Sequence, residues 1–222
     1  MKVLGISCSP RKGGNTEILM KEALDSAEQA GAETLLWTVA GKDLRPCDGC
    51  FYCVKKGKCR IADDIQELYE LILEYDAMIW GTPVYFFDAT AQAKIIIDRL
   101  FNFYMNMKLA NKVGGIIAVG SSLGHYPVFN LFQTFFLLNH MLVADFVYGF
   151  APVEKVIRRD RHAMQASRAL GTEVVALVKK GFKYPEEFEL PIYRLITKRT
   201  GIHMSPADNR FKTGAKEYTK YY

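Results

Sequence analysis

The hydrophobic positions of this chain fall into two alternating rhythms. Lys2 to Ser7 (KVLGIS) is a short apolar run that ends in a Pro/Gly-rich stretch, the pattern of a buried strand. From Asn15 the spacing becomes helical, with Leu19, Met20, Ala23, Leu24, Ala27 and Ala30 on one side and Gly31 as the stop. Glu33 to Val39 reads as a second strand. After a cysteine-bearing segment, a helix is expected over Asp63 to Glu74, with Asp63 and Gln66 as its capping pair. Asp76 to Gly81 is a third strand and Ala89 to Tyr104 a helix carrying Ala93, Ile96, Ile97, Leu100 and Phe101. Val113 to Gly120 is a fourth strand, Val128 to Met141 a helix, Val143 to Phe150 a fifth strand, and Arg158 to Lys180 a closing helix.

Short apolar strands that alternate with helices predict an α/β fold. Parallel strands need crossover connections, so the expected architecture is a doubly wound five-stranded parallel sheet with helices on both faces. Ligands of such sheets sit at the carboxyl ends of the strands, which directs attention to the segments after Ser7, Gly81 and Gly120. The alternation stops near Phe182, where Pro185, Pro191 and Pro206 interrupt it. Residues 1–181 are therefore expected to form one domain, and 182–222 a basic arm that is not an independent domain.

Composition narrows the class. The chain has 222 residues, 50% of them hydrophobic and 24% charged, the balance of a packed globular protein and not of a disordered or collagen-like one. The net charge of +5 includes no run of like charges and gives no case for nucleic acid. The excess is uneven: from Ala151 onward 15 Lys and Arg face 8 Asp and Glu. Met1 to Ile6 has one positive charge and too short an apolar run for a signal peptide, so a cytoplasmic protein is expected. Tyr126 to Ala144 lacks formal charges, but Pro127, Asn130, Gln133, Thr134, Asn139 and His140 argue for a buried or interfacial helix and against a membrane span. Phe129, Leu131, Phe132, Phe135, Phe136, Leu137 and Leu138 exceed what one helix face buries, which predicts a homodimer or homotetramer.

Two segments carry chemistry. The first is Ser9-Pro10-Arg11-Lys12-Gly13-Gly14-Asn15-Thr16, between the first strand and first helix. Hydroxyl residues, glycines and an Arg at a helix N-terminus suit a phosphate: free N–H groups point at the anion and Arg11 supplies charge. It is neither a Walker loop nor a dinucleotide fingerprint. The bland alternative is a plain turn capped by Asn15 or Thr16. The second segment holds Cys47, Cys50, Cys53 and Cys59, spaced C-x2-C-x2-C-x5-C. Three thiolates at successive x2 spacing with a fourth close by can wrap one 4Fe-4S cubane. Gly49 and Gly57 let the loop fold, and Lys55, Lys56, Lys58 and Arg60 supply positive charge near the thiolates. Zinc and a metal-free thiol group are the rivals. Cys8 stands apart and is read as a small buried residue.

With I-S-C-S-P-R-K-G-G-N-T after the first strand and G-T-P-V-Y-F at Gly81 to Phe86 after the third, the chain resembles the flavodoxin-like NAD(P)H-dependent FMN reductase superfamily. The cysteine spacing is similar to that of its iron–sulfur flavoprotein branch. The resemblance implies a flavodoxin-like sheet of order 2-1-3-4-5 with the cysteine insertion after strand 2. It further implies FMN, with phosphate on Ser9, Arg11, Gly14, Asn15 and Thr16. Pro83, Val84, Tyr85 and Phe86 would border the ring, and a third ring-binding segment would begin at Gly120 and Ser121. A flat amphipathic ring suits such an aromatic, apolar turn with free N–H groups.

The function implied is electron transfer between a one-electron donor such as ferredoxin, a 4Fe-4S cluster and FMN, and on to a small acceptor. Two alternatives are an NAD(P)H-dependent FMN or quinone reductase with structural cysteines, and a non-catalytic flavin-binding carrier. No general acid or nucleophile is expected. Of His125, His140, His162 and His203, His125 alone falls in an expected flavin-facing loop.

Overall fold

A computed structural model describes residues 1–185. The expected arm lies outside the described residues except for its first four positions. Five strands, β1 (Lys2–Ser7), β2 (Glu33–Thr38), β3 (Ala77–Pro83), β4 (Val113–Gly120) and β5 (Leu142–Phe150), form one parallel sheet of order β2-β1-β3-β4-β5. The helices are α1 (Asn15–Gln29), α2 (Tyr52–Lys56), α3 (Ile65–Glu74), α4 (Ala91–Arg99), α5 (Phe101–Met105), α6 (His125–Leu138) and α7 (Arg161–Lys180).

Strand side chains alternate between faces, so the sheet feeds two cores. Leu4, Ile6, Met78, Trp80, Ile116 and Ala118 pack with α3, α4 and α6 on one face. Val3, Ala77, Ile79, Val113, Ile117 and Val119 pack with α1 and α7 on the other. The second layer is unusually close at Gly171: a Cβ there would lie 2.0 Å from the Ala23 carbonyl oxygen. Only a residue without a side chain lets α7 approach the α1 backbone so nearly.

Four helix boundaries differ from the pattern-based expectation, each for a tertiary reason. The Ala89–Tyr104 helix is broken at Leu100, and the turn brings Asn102 Nδ2 to the Gly57 carbonyl at 2.8 Å in the cysteine loop. Asp64 holds the N-cap position of α3 without a side-chain capping bond; Asp63, one residue earlier, accepts from the Ile65 N–H at 3.3 Å and also forms an ion pair with Arg99 at 2.8 Å, both side chains fully enclosed. α6 starts three residues early because Gly124, at φ 96°, makes the turn that admits His125. A 3-10 turn at Val156–Arg159 precedes α7, whose N-cap Asp160 accepts from the Ala163 N–H at 2.9 Å.

At 14 residues, α6 is about 21 Å long, short of the ~30 Å a membrane core demands. No helix among the described residues is long and apolar enough to cross a membrane.

Candidate flavin cleft and cysteine cavity

Two residues past the end of β1, the buried Ser9 accepts at Oγ from the Arg11 N–H at 3.2 Å and sets the direction of the loop. Gly13 takes φ +68°, and its N–H donates to Glu17 Oε2 at 2.7 Å. Glu17 is buried and its other oxygen accepts from the Thr38 hydroxyl at 2.9 Å, so the loop is braced against the end of β2. The N-cap of α1 is Gly14, which brings no capping side chain. The first N–H groups of α1 are thus left for an outside acceptor, and the helix dipole favours an anion there.

Asn15 was expected to help hold the phosphate, and its side chain is engaged elsewhere in the fold. Nδ2 donates to the Val153 carbonyl at 2.9 Å and Oδ1 accepts from the Ile157 N–H at 3.4 Å, tying the loop to the β5–α7 connection. What Asn15 offers a ligand is its backbone N–H.

Ser9, Arg11, Gly14, Asn15 and Thr16 line one cleft of about 160 Å³ with Pro83, Val84, Tyr85 and Ser121. The structure therefore gathers at one place every expected flavin residue except Phe86. Val119, Gly120, Ala151 and Glu154 complete the wall. Gly120 was already expected from the sequence, as the start of the third ring-binding segment. Glu154 was not, since it belongs to no motif and arrives through the fold. Phe86 and Phe87 stand at the tip of a tight turn closed by mutual N–H to carbonyl bonds between Tyr85 and Asp88 at 2.8 and 3.1 Å. Both lie in the left-handed region, at φ 44° and 65°, and Phe86 is 96% exposed. His125 is packed away from the cleft: its ring lies 5.0 Å from Phe150, with Nε2 3.2 Å from the Gly149 carbonyl.

The cysteines form a second site. Cys47, Cys50, Cys53 and Cys59 line one cavity of about 600 Å³, walled by Ile97, Phe101 and Tyr104 of the α4–α5 region and by Leu131, Phe135 and Leu138 of α6. Burial pushes the Cys53 thiol up, and the neighbouring Cys59, Cys47 and Cys50 sulfurs push it further. Four cysteine sulfurs lining one cavity are a donor set that, once deprotonated, a cation or a cationic cluster core would unite. Arg60 Nε donates to Cys50 Sγ at 3.1 Å and pairs with Asp48, whose carboxyl is held low first by its hydrogen bond with Cys50. Among the described residues, no three His, Cys, Asp or Glu side chains converge on a common metal position. Cys8 is fully buried, its thiol pushed up by burial, and it touches neither cavity.

The apolar residues of α6 divide between the core, the cysteine cavity and the surface, with Leu137 and Leu138 both more than half exposed. Phe129, Phe132, Phe135 and Phe136 enter the core, Leu131 and Leu138 wall the cysteine cavity, and Leu137 is exposed.

A 2-1-3-4-5 parallel sheet with an anion-ready loop after β1 and an aromatic turn after β3 defines a flavodoxin-like FMN-dependent oxidoreductase. The chain belongs to the NADPH-dependent FMN reductase family, whose model matches residues 1–152, and within that superfamily to the iron–sulfur flavoprotein branch. It is 40% identical to an iron-sulfur flavoprotein of Methanocaldococcus jannaschii, over 81% of this chain and 100% of the relative. It is 38% identical to an iron-sulfur flavoprotein of Archaeoglobus fulgidus, over 63% of this chain and 73% of that one. Among solved structures, RosB with a bound 8-demethyl-8-formylriboflavin-5'-phosphate shares the fold: TM-score 0.68 at 18% identity, covering 100% of this chain and 88% of RosB.

Proposed function

We propose that this chain passes electrons between a one-electron donor such as ferredoxin, a 4Fe-4S cluster on Cys47, Cys50, Cys53 and Cys59, and FMN, and on to a small acceptor. Residues 1–181 act as the FMN-binding domain and 182–222 as a basic arm, in a cytoplasmic homodimer or homotetramer. Ser9, Arg11, Gly14, Asn15 and Thr16 hold the FMN phosphate through N–H groups and the Arg11 charge; Pro83, Val84, Tyr85, Phe86 and Ser121 border the ring. FMN supplies both one- and two-electron chemistry and the cluster supplies single electrons. The residues of this chain bind and orient these groups; none is assigned a proton-transfer role.

The observation that carries the reading is that all four cysteines face one cavity while the phosphate and ring segments meet in a separate cleft of the same chain. Anaerobic purification with iron, sulfide and flavin analysis tests it. About four iron and four sulfide per chain beside one FMN are expected. Iron-free protein after anaerobic reconstitution would overturn the cluster.

One observation favours a second reading, an NAD(P)H-dependent FMN or quinone reductase with structural cysteines: the thiols line one wall without converging. Steady-state turnover with NAD(P)H but not with reduced ferredoxin, from iron-free protein, is its signature.

A further inference from the structure

Arg99, the last residue of α4, is a cation with no place in the flavin cleft. Its side chain is fully enclosed and is devoted to the cysteine loop. Nη1 donates to Asp63 Oδ2 and to the Arg45 carbonyl, both at 2.8 Å. Nη2 donates to Asp63 Oδ1 at 3.1 Å and to the Ile61 carbonyl at 3.3 Å, and Nε donates to the Tyr69 hydroxyl at 3.2 Å. Arg45 precedes Cys47 by two residues and Ile61 follows Cys59 by two. A single guanidinium therefore holds both ends of the segment that carries all four thiols. Gln66 Nε2 reinforces the far end by donating to the Ile61 carbonyl at 2.6 Å and the Cys59 carbonyl at 3.3 Å.

A buried ion pair is weak evidence for stability, because desolvation offsets most of its attraction and an apolar replacement is often as stable. This pair is also asymmetric. Arg99 borders the cysteine cavity and interacts electrostatically with Cys59, whereas Asp63 does neither, so the positive member of the pair is the one nearer the sulfurs although its N–H donors are all taken by oxygens. Burial lowers the pKa of Arg99, but Asp63, Tyr69 and the Cys59 thiolate outweigh it and raise the value overall. In an enclosed site a fixed cation favours the more negative state of whatever the thiolates hold.

We infer that Arg99 is a positioning residue of the four-cysteine site: it closes the cysteine loop and places a fixed positive charge beside the sulfurs, raising the reduction potential of the group they carry. The statement about potential rests on the cluster reading above; the loop closure does not. Three forms of the full-length protein test it: wild type, Arg99→Lys, and Arg99→Gln combined with Asp63→Asn. The double variant leaves no unpaired buried charge and retains hydrogen-bonding amides.

Iron per chain and two further quantities are read. One is the midpoint potential of the anaerobic protein by EPR-monitored titration. The other is the alkylation rate of each thiol in the metal-free chain, with buried Cys8 as internal reference. The double variant should lose iron, show a lower midpoint potential in the cluster that remains, and alkylate the half-buried Cys53 and Cys59 at least tenfold faster, while the exposed Cys47 and Cys50 change little. Arg99→Lys should restore the potential more fully than it restores iron retention. An unchanged potential in the double variant overturns the electrostatic half, and unchanged alkylation overturns loop closure. If wild type itself holds no iron after reconstitution, the cluster reading falls, and the alkylation rates alone decide for or against Arg99.

Discussion

Gly171→Ala sets two effects of opposite sign against each other. Within a helix, alanine is favoured over glycine by about 1 kcal/mol, so propensity alone predicts a more stable α7. In the fold, the new Cβ would stand 2.0 Å from the Ala23 carbonyl oxygen, 2.9 Å from its carbon and 3.1 Å from the Ala27 nitrogen. These are backbone atoms of α1, so no rotamer change relieves the contact. Carbon–oxygen approaches of roughly 3.3 Å or more are normal, so the helices must part by about 1.3 Å. A gap of even ~0.5–1 Å forfeits a quarter to a half of each dispersion contact along the seam. Overpacking of this kind costs roughly 1–3 kcal/mol and occasionally more. With contact to two backbone residues, the upper end applies, and a net loss of about 2 kcal/mol remains after the propensity gain. For a chain of this length that lowers Tm by roughly 4–8 °C. Guanidinium and thermal unfolding of the FMN-free protein, followed by circular dichroism, give the number. A Gly171→Ala chain as stable as wild type, or more stable, would refute the close approach of α1 and α7.

Further outcomes follow from the two sites. Arg11→Ala should weaken FMN binding by about 10- to 100-fold, the worth of a charge-assisted hydrogen bond of roughly 1.5–3 kcal/mol, in a flavin-fluorescence titration; unchanged affinity would remove Arg11 from the phosphate site. Cys53→Ser should lower iron per chain while Cys8→Ala leaves it unchanged, by colorimetric iron analysis. For Asp63, burial pushes the carboxyl up, but Arg99 and the Arg45 N–H outweigh burial and hold it below its ordinary value. The stabilisation is therefore present above the unfolded pKa near ~3.9 and lost as pH falls through the lower folded value. Asp63→Asn should cost roughly 3–5 kcal/mol in urea unfolding at neutral pH, with the difference shrinking below about pH 4; a pH-independent difference would contradict the ion pair. Phe86→Asn should stabilise the apo chain by about 1 kcal/mol, since the ring at 96% exposure buries little and Asn tolerates a positive φ; a loss of stability in the thermal melt would show that the ring packs.

The sheet was legible because strands covered on both faces are written as continuous apolar runs. Lys2–Ser7 and Val113–Gly120 have the boundaries expected for them, and the other three strands differ by no more than two residues at either end. Helices were less legible where another part of the chain competes for their ends. Asp63 has the local look of a cap and does accept from the Ile65 N–H, yet both its oxygens are also claimed by the enclosed Arg99. Leu100 continues a helical pattern, yet the chain turns there so that Asn102 can reach Gly57. The same division holds at the candidate sites. The phosphate and aromatic segments were visible because each directly follows a strand, and the cysteines because their spacing is itself the signal. Glu154 and Arg99 were invisible: one is a lone acid in a connection, the other a lone cation at a helix end that reads as a surface residue. The partners of the Asn15 side chain were invisible for the same reason, because Val153 is 138 positions away in sequence.

The cleft and the cysteine cavity have no lining residue in common, and one opens at the carboxyl edge of the sheet while the other lies among the helices of a single face. Free energies of substitutions that share no partner add, to within about 0.5 kcal/mol. The two sites should thus be mutationally separable. A lineage built on this plan could alter or discard its cysteine loop without retuning the flavin cleft, and an engineer could graft the loop together with its Arg99 anchor onto a related sheet as one heritable module.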